Sequence, residues 1–346
     1  MSIAINGMGR IGRLVLRAAF GGMARDSQDP RHALRLPICH VNDSQADAAL
    51  IAHLTEFDSV HGRWPASFAV QDGLINIEGQ EISCSAESDP GQLDWAEKGA
   101  EIVLDCTGSF RKPDLLEGYF RRGVKKVIIA APVHDREAVN IVVGVNSHIY
   151  QPDRHHILTA ASCTTNCLAP IVKVLHEQIG IKRGQITTIH GPTNTNVVTD
   201  RPHKDWRRAR SALLSLQPTS TGSARAIGLI YPELDGLLNG HAVRVPVLNA
   251  SLTDCVFDLA EKTDAETVNA LFHRAAQTDL AGILGVESRP LVSADFVNDS
   301  RSSIIDLPST MVTDDTLVKV YAWYDNETGH ACRMVDLADQ VLQAGW

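Results

Sequence analysis

The stretch SIAINGMGRIGRLVLRAAF, residues 2–20, decides the fold. Its opening SIAIN reads as a short apolar strand, and RLVLRAAF (13–20) reads as a helix. Between them Gly7, Gly9 and Gly12 form G-x-G-x-x-G. Glycines so spaced allow a tight turn and bring the backbone close to a pyrophosphate. The helix mouth then offers free N–H groups and the positive end of a dipole. A plain strand–turn–helix without a ligand would carry the same pattern, so the motif needs support from elsewhere in the chain.

A second apolar strand, LPICHVND (36–43), supplies it by ending in Asp43. A carboxylate there can accept bonds from the ribose hydroxyls of an adenosine and repels a 2′-phosphate, which favours NAD over NADP. Asp43 lies 31 residues beyond Gly12, more than the roughly 20 of the usual motif. The polar segment 21–35 reads as a long loop that takes up the excess. A helix cap or turn residue is the other reading of Asp43. Further apolar runs at EIVLDCTG (101–108), KKVIIAAP (125–132), NIVVGVN (140–146) and HHILTAAS (155–162) alternate with helical segments. They predict an α/β, Rossmann-type doubly wound parallel sheet. Ligands of such sheets sit at the carboxyl ends of the strands, so Thr107 and Gly108 are candidates to line the cofactor site.

The pattern changes after residue 162. GQITTIHG (184–191) reads as a strand and 191–216 as a long loop with a short helical piece. GHAVRVPVLNASLTDCVFDLA (240–260) reads as one long strand or a pair, and TLVKVYAWYDN (316–326) as another. TDAETVNALFHRAA (263–276) reads as a helix opened by a capping box of Thr263 with Glu266. This predicts an α+β catalytic domain over 163–325 with a mostly antiparallel sheet, after a nucleotide-binding domain over 1–162. A final amphipathic helix (326–346) could pack on either domain.

Composition narrows the function classes. With 32 Lys and Arg against 41 Asp and Glu, the net charge is −9, and no long basic block marks a nucleic-acid partner. The densest basic run, HKDWRRARS (203–211), reads as a solvated face with one or two functional arginines. No run of 18 apolar residues predicts a membrane span, and MSIAINGMGR reads as strand and turn rather than a targeting signal. Seven scattered cysteines without a CxxC suit a reducing cytoplasm.

The cysteine pair in ASCTTNCLAP (160–169) is the reactive candidate. HHILTAAS reads as a strand and CTTNCLAPIVKVLHEQI as a helix, so Cys163 stands at a strand-to-helix junction. There the dipole and free N–H groups stabilise a thiolate, and Ser162 or Thr164 can cap the turn. Cβ atoms four residues apart on a helix lie roughly 5–6 Å apart, whereas a disulfide wants about 3.5–4.5 Å. No set of metal ligands stands nearby, so no metal is expected. A nucleophilic Cys163 with an inert Cys167 fits best. His190, ending the strand ITTIH, is a candidate base among the 14 histidines.

Together these segments closely resemble the phosphorylating glyceraldehyde-3-phosphate dehydrogenase family over essentially the whole chain. The resemblance rests on INGMGRIGR, FDSVHGR, ASCTTNCLAP, PHKDWRRAR, PTSTGSARAIG, RVP and WYDNETG. It implies Cys163 as nucleophile, His190 as general base, and a thiohemiacetal followed by a thioester. It implies that glyceraldehyde 3-phosphate is held through its phosphate by Thr193 and Arg244, with Arg208 nearby. Attacking inorganic phosphate would use Ser162, Thr164, Thr221 and Gly222. For NAD it implies Arg10 and Ile11 at the pyrophosphate, Asp43 at the ribose, and Thr107 and Asn326 at the nicotinamide amide. It further implies a homotetramer, the 191–216 loop at a subunit interface, and return of the final helix to the first domain.

Four departures stand out: Met8 for the usual phenylalanine, Thr195 for aspartate, Arg201 for leucine and His330 for tyrosine. Thr195 could bind phosphate directly, and Arg201 could meet a 2′-phosphate. A finer resemblance, in HLTEFDSVHGRWP, LNGHAVRVP and LNASLTDCVF, points to the branch found beside arsenical-resistance transporters, where arsenate replaces phosphate. Two other readings stay open: an erythrose-4-phosphate dehydrogenase, and a redox-sensing NAD-binding protein without turnover.

Overall fold

In the computed structural model, which describes residues 1–23, 35–133, 135 and 137–345, SIAIN forms strand β1 (Ile3–Asn6) and helix α1 (Arg10–Ala19) follows the glycine turn. Gly7 has a φ of 89°, a conformation that costs other residues strain. A Cβ on Gly12 would lie 1.9 Å from Gly7 O, so only glycine lets the helix start this close to the strand. The chain divides into two units, Met1–Ser162 with His330–Trp346, and Cys163–Gly329.

The first unit continues through β2 (Ile38–Asn42), α2 (Ala48–Glu56), β3 (Phe68–Gln71), β4 (Leu74–Ile77), β5 (Gln80–Ser85) and β6 (Ile102–Asp105). Helix α3 (Pro113–Arg121), β7 (Lys126–Ile129), β8 (Ala138–Asn140) and β9 (Ile157–Thr159) follow. Among the described residues the strands form one nine-stranded sheet in the order β3-β4-β5-β2-β1-β6-β7-β9-β8. The run from β5 to β8 is parallel, while β3 and β4 extend one edge as an antiparallel meander.

Both faces of the parallel part are covered, which is why its strands read as unbroken apolar runs. Ile3 and Ile5 pack with Leu14 and Leu16 of α1 and with Met334, Leu337 and Val341 near the C-terminus. Ala4, Val103 and Val127 face the other way, onto Leu116, Tyr119 and Trp95.

One strand reading fails. Of NIVVGVN (140–146) only Asn140 belongs to a strand. The chain then turns, with Asn146 Oδ1 accepting from Val142 N–H at 2.7 Å and Asn146 Nδ2 donating to Asn140 O at 3.0 Å. Ile141 and Val142 are buried in this turn, so their apolar character serves the core without a strand. Most of the expected loop at 21–35 lies outside the described residues.

The second unit opens with α4 (Cys163–Gln178), then β10 (Ile181–His190), β11 (Gln217–Ser220), α5 (Ser223–Ile230), β12 (Leu238–Arg244), β13 (Ser251–Leu259) and α6 (Ala265–Gln277). Strands β14 (Leu284–Glu287), β15 (Ser303–Asp306), β16 (Met311–Thr313) and β17 (Leu317–Tyr324) follow, and then helix α7 (Thr328–Ala344). From His330 onward α7 belongs to the first unit. The sheet runs β11-β12-β10-β13-β17-β15-β14, with β16 beside β17. It is mostly antiparallel; β10–β12 and β14–β15 are its parallel pairs.

Three local readings are refined. The stretch 240–260 is two strands, β12 and β13. Segment 191–216 carries no helix among the described residues, only turns and a bridge between Val197 and Ser211. Helix α6 is capped by Asp264, whose carboxylate accepts from Thr267 N–H at 2.7 Å, and not by Thr263. An ionised oxygen beside the helix mouth is favoured by the dipole as well as by the hydrogen bond.

Candidate active site

In the second unit three strand ends converge. Strand β10 pairs in parallel with β12, and His190 lies opposite Arg244 at the carboxyl ends of both. Strand β13 runs antiparallel between β10 and β17, so β17 points the same way as β10 and ends at Tyr324, opposite Ser251. Cys163 is the first residue of α4. Its Sγ lies 3.5 Å from His190 Nε2, within reach of proton transfer. The other ring nitrogen, His190 Nδ1, lies 2.7 Å from Gly191 O and 2.5 Å from Arg244 Nη1.

The electrostatics of this pair are dominated by burial. Burial, then the Arg244 charge, push His190 down to about 3, against the pull of Gly191 O and Glu327. Burial pushes the Cys163 thiol up, although Arg244 and Thr164 oppose it. The thiolate stabilisation expected at the helix mouth is therefore present but outweighed. Burial thus disfavours both the imidazolium at His190 and the thiolate at Cys163.

Tyr324 is a member of the site that sequence reasoning missed. Its hydroxyl lies 2.9 Å from Thr164 Oγ1 and 2.7 Å from Thr188 Oγ1, and its ring meets the His190 ring edge-on at 5.9 Å. The signal was available, because period-2 alternation puts Ile186, Thr188 and His190 on one buried face of β10. Cys167 is buried one turn further in, where its thiol meets Ser303 Oγ at 3.7 Å. Burial pushes it up to about 12, which keeps it inert. The described cysteines are all free thiols.

A second cluster lies on the loop after β10. Thr193 Oγ1 and Thr195 Oγ1 are 3.1 Å apart, and Arg208 Nη1 donates to Thr195 Oγ1 at 3.2 Å. Arg208 Nε also donates to Thr219 Oγ1 at 2.9 Å, with Asp205 3.6 Å away. Two hydroxyls and a guanidinium form a set of donors suited to a phosphate. Thr221 and Gly222 stand at the mouth of α5, which packs on α4. Thr221 Oγ1 accepts from Ser223 N–H at 3.3 Å. Asn326 Oδ1 accepts from Ser251 Oγ at 2.9 Å.

The first unit carries the expected nucleotide loop. A Cβ on Gly9 would meet nothing within 4 Å, so this turn is open on the side where Arg10 and Ile11 begin α1. Arg10 is ion-paired to Asp58. Burial works against that carboxylate, but the His61 amide, the Arg10 guanidinium and the Val60 amide outweigh it and hold it at about 2. Asp43 follows β2 and accepts from Met8 N–H at 2.7 Å and Gln45 N–H at 2.8 Å. Thr107 donates through N–H and Oγ1 to the buried Asp105, at 3.0 and 2.7 Å. Gly108 follows with a φ of 70°. Ser162 closes the unit. His330 is buried, and its Nε2 donates to Ala130 O at 3.1 Å, beyond the end of β7.

Comparison with known proteins agrees with this architecture. Residues 1–113 match the family description "Glyceraldehyde 3-phosphate dehydrogenase, NAD binding domain", and residues 162–326 match "Glyceraldehyde 3-phosphate dehydrogenase, C-terminal domain". The chain is 55% identical over 340 residues to glyceraldehyde-3-phosphate dehydrogenase 3 of Nostoc sp., covering 98% of this chain and 97% of the relative. It is 46% identical over 345 residues to glyceraldehyde-3-phosphate dehydrogenase 1 of Bacillus subtilis, covering 100% and 99%. It is 47% identical over 345 residues to glyceraldehyde-3-phosphate dehydrogenase of Geobacillus stearothermophilus, with the same coverage.

Proposed function

This chain belongs to the glyceraldehyde 3-phosphate dehydrogenase family, and we propose that it oxidises glyceraldehyde 3-phosphate to 1,3-bisphosphoglycerate with NAD and inorganic phosphate. It is an NAD-dependent oxidoreductase. The observation that carries the proposed substrate chemistry is the 3.5 Å approach of Cys163 Sγ to His190 Nε2.

The first unit fits the cofactor. The Gly7–Gly12 turn leaves no room for a Cβ at Gly12 and is open at Gly9, so the Arg10 and Ile11 amides can meet a pyrophosphate. Asp43 would take the ribose, and Thr107, Gly108 and Asn326 the nicotinamide end. Bound NAD supplies the two-electron acceptor. His190 Nε2 takes the thiol proton, Cys163 Sγ attacks the aldehyde carbon, and His190 returns the proton to the carbonyl oxygen to give the thiohemiacetal hydroxyl. His190 then accepts the hydroxyl proton as the thiohemiacetal is oxidised to a thioester. A phosphate oxygen attacks the thioester carbon, the C–S bond breaks, and the thiolate is restored. Thr193, Thr195, Arg208 and Arg244 would hold the substrate phosphate, and Ser162, Thr164, Thr221 and Gly222 the attacking anion. NADH production from glyceraldehyde 3-phosphate and phosphate tests this. Its loss in Cys163→Ser is expected; NADH production retained in that variant would sink the mechanism.

Arsenate has nearly the shape and charge of phosphate, so the same anion site accommodates it. The stretches HLTEFDSVHGRWP and LNGHAVRVP support placing the chain in the arsenical-resistance branch, where the product would be 1-arseno-3-phosphoglycerate. Saturation by arsenate far below phosphate supports that placement, and equal or reversed values reject it. A clear preference for erythrose 4-phosphate would reassign the substrate. No NADH with either anion would leave a redox-sensing binding protein.

Exposed apolar side chains on the loop after β10, Trp206 at 88%, Leu214 at 87% and Leu216 at 69%, support burial against another copy and hence a homotetramer. Light scattering at working concentration tests it. No helix among the described residues is long and apolar enough to cross a membrane. The free thiols fit the proposed cytoplasmic location.

A further inference from the structure

Ser251 opens β13, opposite Tyr324 at the end of β17. It is 1% exposed, and its hydroxyl has two partners. Gly191 N–H donates to Oγ at 3.3 Å, and Oγ–H donates to Asn326 Oδ1 at 2.9 Å. A serine oxygen accepts through its lone pairs and donates through its single hydrogen, so both bonds form together. The hydroxyl thus bridges the residue after His190 and a residue just beyond β17.

The backbone around Asn326 is pinned separately. Asp325 accepts from Asn249 Nδ2 at 3.0 Å, and from the N–H groups of Asn298, Glu327 and Thr328 at 2.8 Å each. The Asn326 side chain is held by Ser251 instead. An asparagine amide turns easily about its last bond, and a half-turn exchanges its donor for its acceptor. One hydrogen bond to Oδ1 removes that freedom. Ala250, just before Ser251, has a φ of 62°, in the left-handed region that costs an alanine strain. Such strain persists where the surroundings hold it and collects at functional sites. Here the kink leads the chain into β13, whose first residue then meets Asn326.

We infer that Ser251 is a positioning residue, whose hydroxyl fixes the orientation in which the Asn326 amide meets the carboxamide of the nicotinamide ring. This deepens the proposed function and rests on Asn326 as a ligand of the nicotinamide end. An amide already held in place loses little rotational freedom on binding, which strengthens the contact. The same hydroxyl takes the Gly191 N–H, so the ring's anchor and the segment leaving His190 share one fixed point.

The test is calorimetry of the full-length protein with two ligands, NAD and ADP-ribose, which lacks the nicotinamide. In Ser251→Ala the NAD dissociation constant should rise about three- to tenfold, while that for ADP-ribose stays within about twofold of wild type. A general loosening of the fold would weaken both ligands, and equal losses overturn the inference. Asn326→Ala should weaken NAD alone, and the double variant Ser251→Ala/Asn326→Ala should bind NAD no more weakly than Asn326→Ala. Additive losses would mean that Ser251 does not act through Asn326. If Asn326→Ala weakens NAD and Ser251→Ala does not, this inference falls and the reading of Asn326 stands. If Asn326→Ala binds NAD as wild type does, both fall. Ser251→Cys, close in volume and a weaker donor, carries the same expectations should the alanine variant fail to fold.

Discussion

The hydroxyl of Tyr324, at the end of β17, lies 2.9 Å from Thr164 Oγ1, one residue inside the helix that begins with Cys163. It also meets Thr188 Oγ1 at 2.7 Å. One phenol therefore ties the helix that begins with Cys163 to the strand that ends with His190. Tyr324→Phe keeps the ring against His190 and strands two buried hydroxyls. We expect a stability loss of about 1–3 kcal/mol and a fall in kcat of up to about tenfold. Denaturant midpoints and steady-state kinetics check both; an unchanged midpoint would reject the tie.

Replacing the proposed base isolates its contribution. His190→Asn should lower kcat by about 10²–10⁴-fold while leaving the NAD dissociation constant within about twofold of wild type. Single-turnover NADH formation and cofactor titration separate the two. A kcat within about threefold of wild type would assign the base elsewhere.

Two buried histidines give the fold an acid sensitivity of known sign. His190 is held at about 3 by burial and Arg244, and His40 at about 4 by burial and Lys98, against an ordinary value of about 6.5. Between about pH 6.5 and 4 the unfolded chain binds protons that the folded chain refuses. Their stabilising contribution is complete above about pH 6.5 and is lost as pH falls towards 4. Urea midpoints across that window should show the slope, and His40→Asn should remove one group's share. Identical slopes in both proteins would contradict it.

The hydroxyl at 195 belongs to the proposed substrate phosphate site. Thr195→Ala deletes the acceptor that Arg208 meets at 3.2 Å, and should raise KM for glyceraldehyde 3-phosphate about tenfold with kcat little changed. Thr195→Asp would pair Arg208 and weaken anion binding further. A KM lower than wild type in the aspartate variant would reverse the assignment.

Gly12→Ala tests the cofactor turn. Its methyl would sit 1.9 Å from Gly7 O, and the forced shift should cost about 1–3 kcal/mol. NAD affinity by calorimetry should fall at least tenfold; wild-type affinity would show that the turn does not hold the cofactor.

Where single residues had a chemical job, the sequence was readable. Gly7 and Gly12 announced the nucleotide turn because no other side chain fits there, and the junction before CTTNC located Cys163. The misreadings arose where apolar character served burial alone, as at Ile141 and Val142. The meander β3–β5 was overlooked although Asp72-Gly73 and Glu78-Gly79 both carry the positive φ of tight hairpin turns. Tyr324 was missed because its job depends on partners 136 and 160 residues away. Only the folded sheet brings those partners to it.

The parallel ladder between β10 and β12 acts as a reading frame. Insertions in the loop from 191 to 216 leave the facing of Arg244 and His190 intact. A single-residue slip within Leu238–Arg244 would turn the guanidinium to the opposite face of the sheet and set a valine in its place. Lineages of this chain can therefore vary the length of the loop around Thr193, Thr195 and Arg208, while β12 tolerates substitution far better than any change in its length.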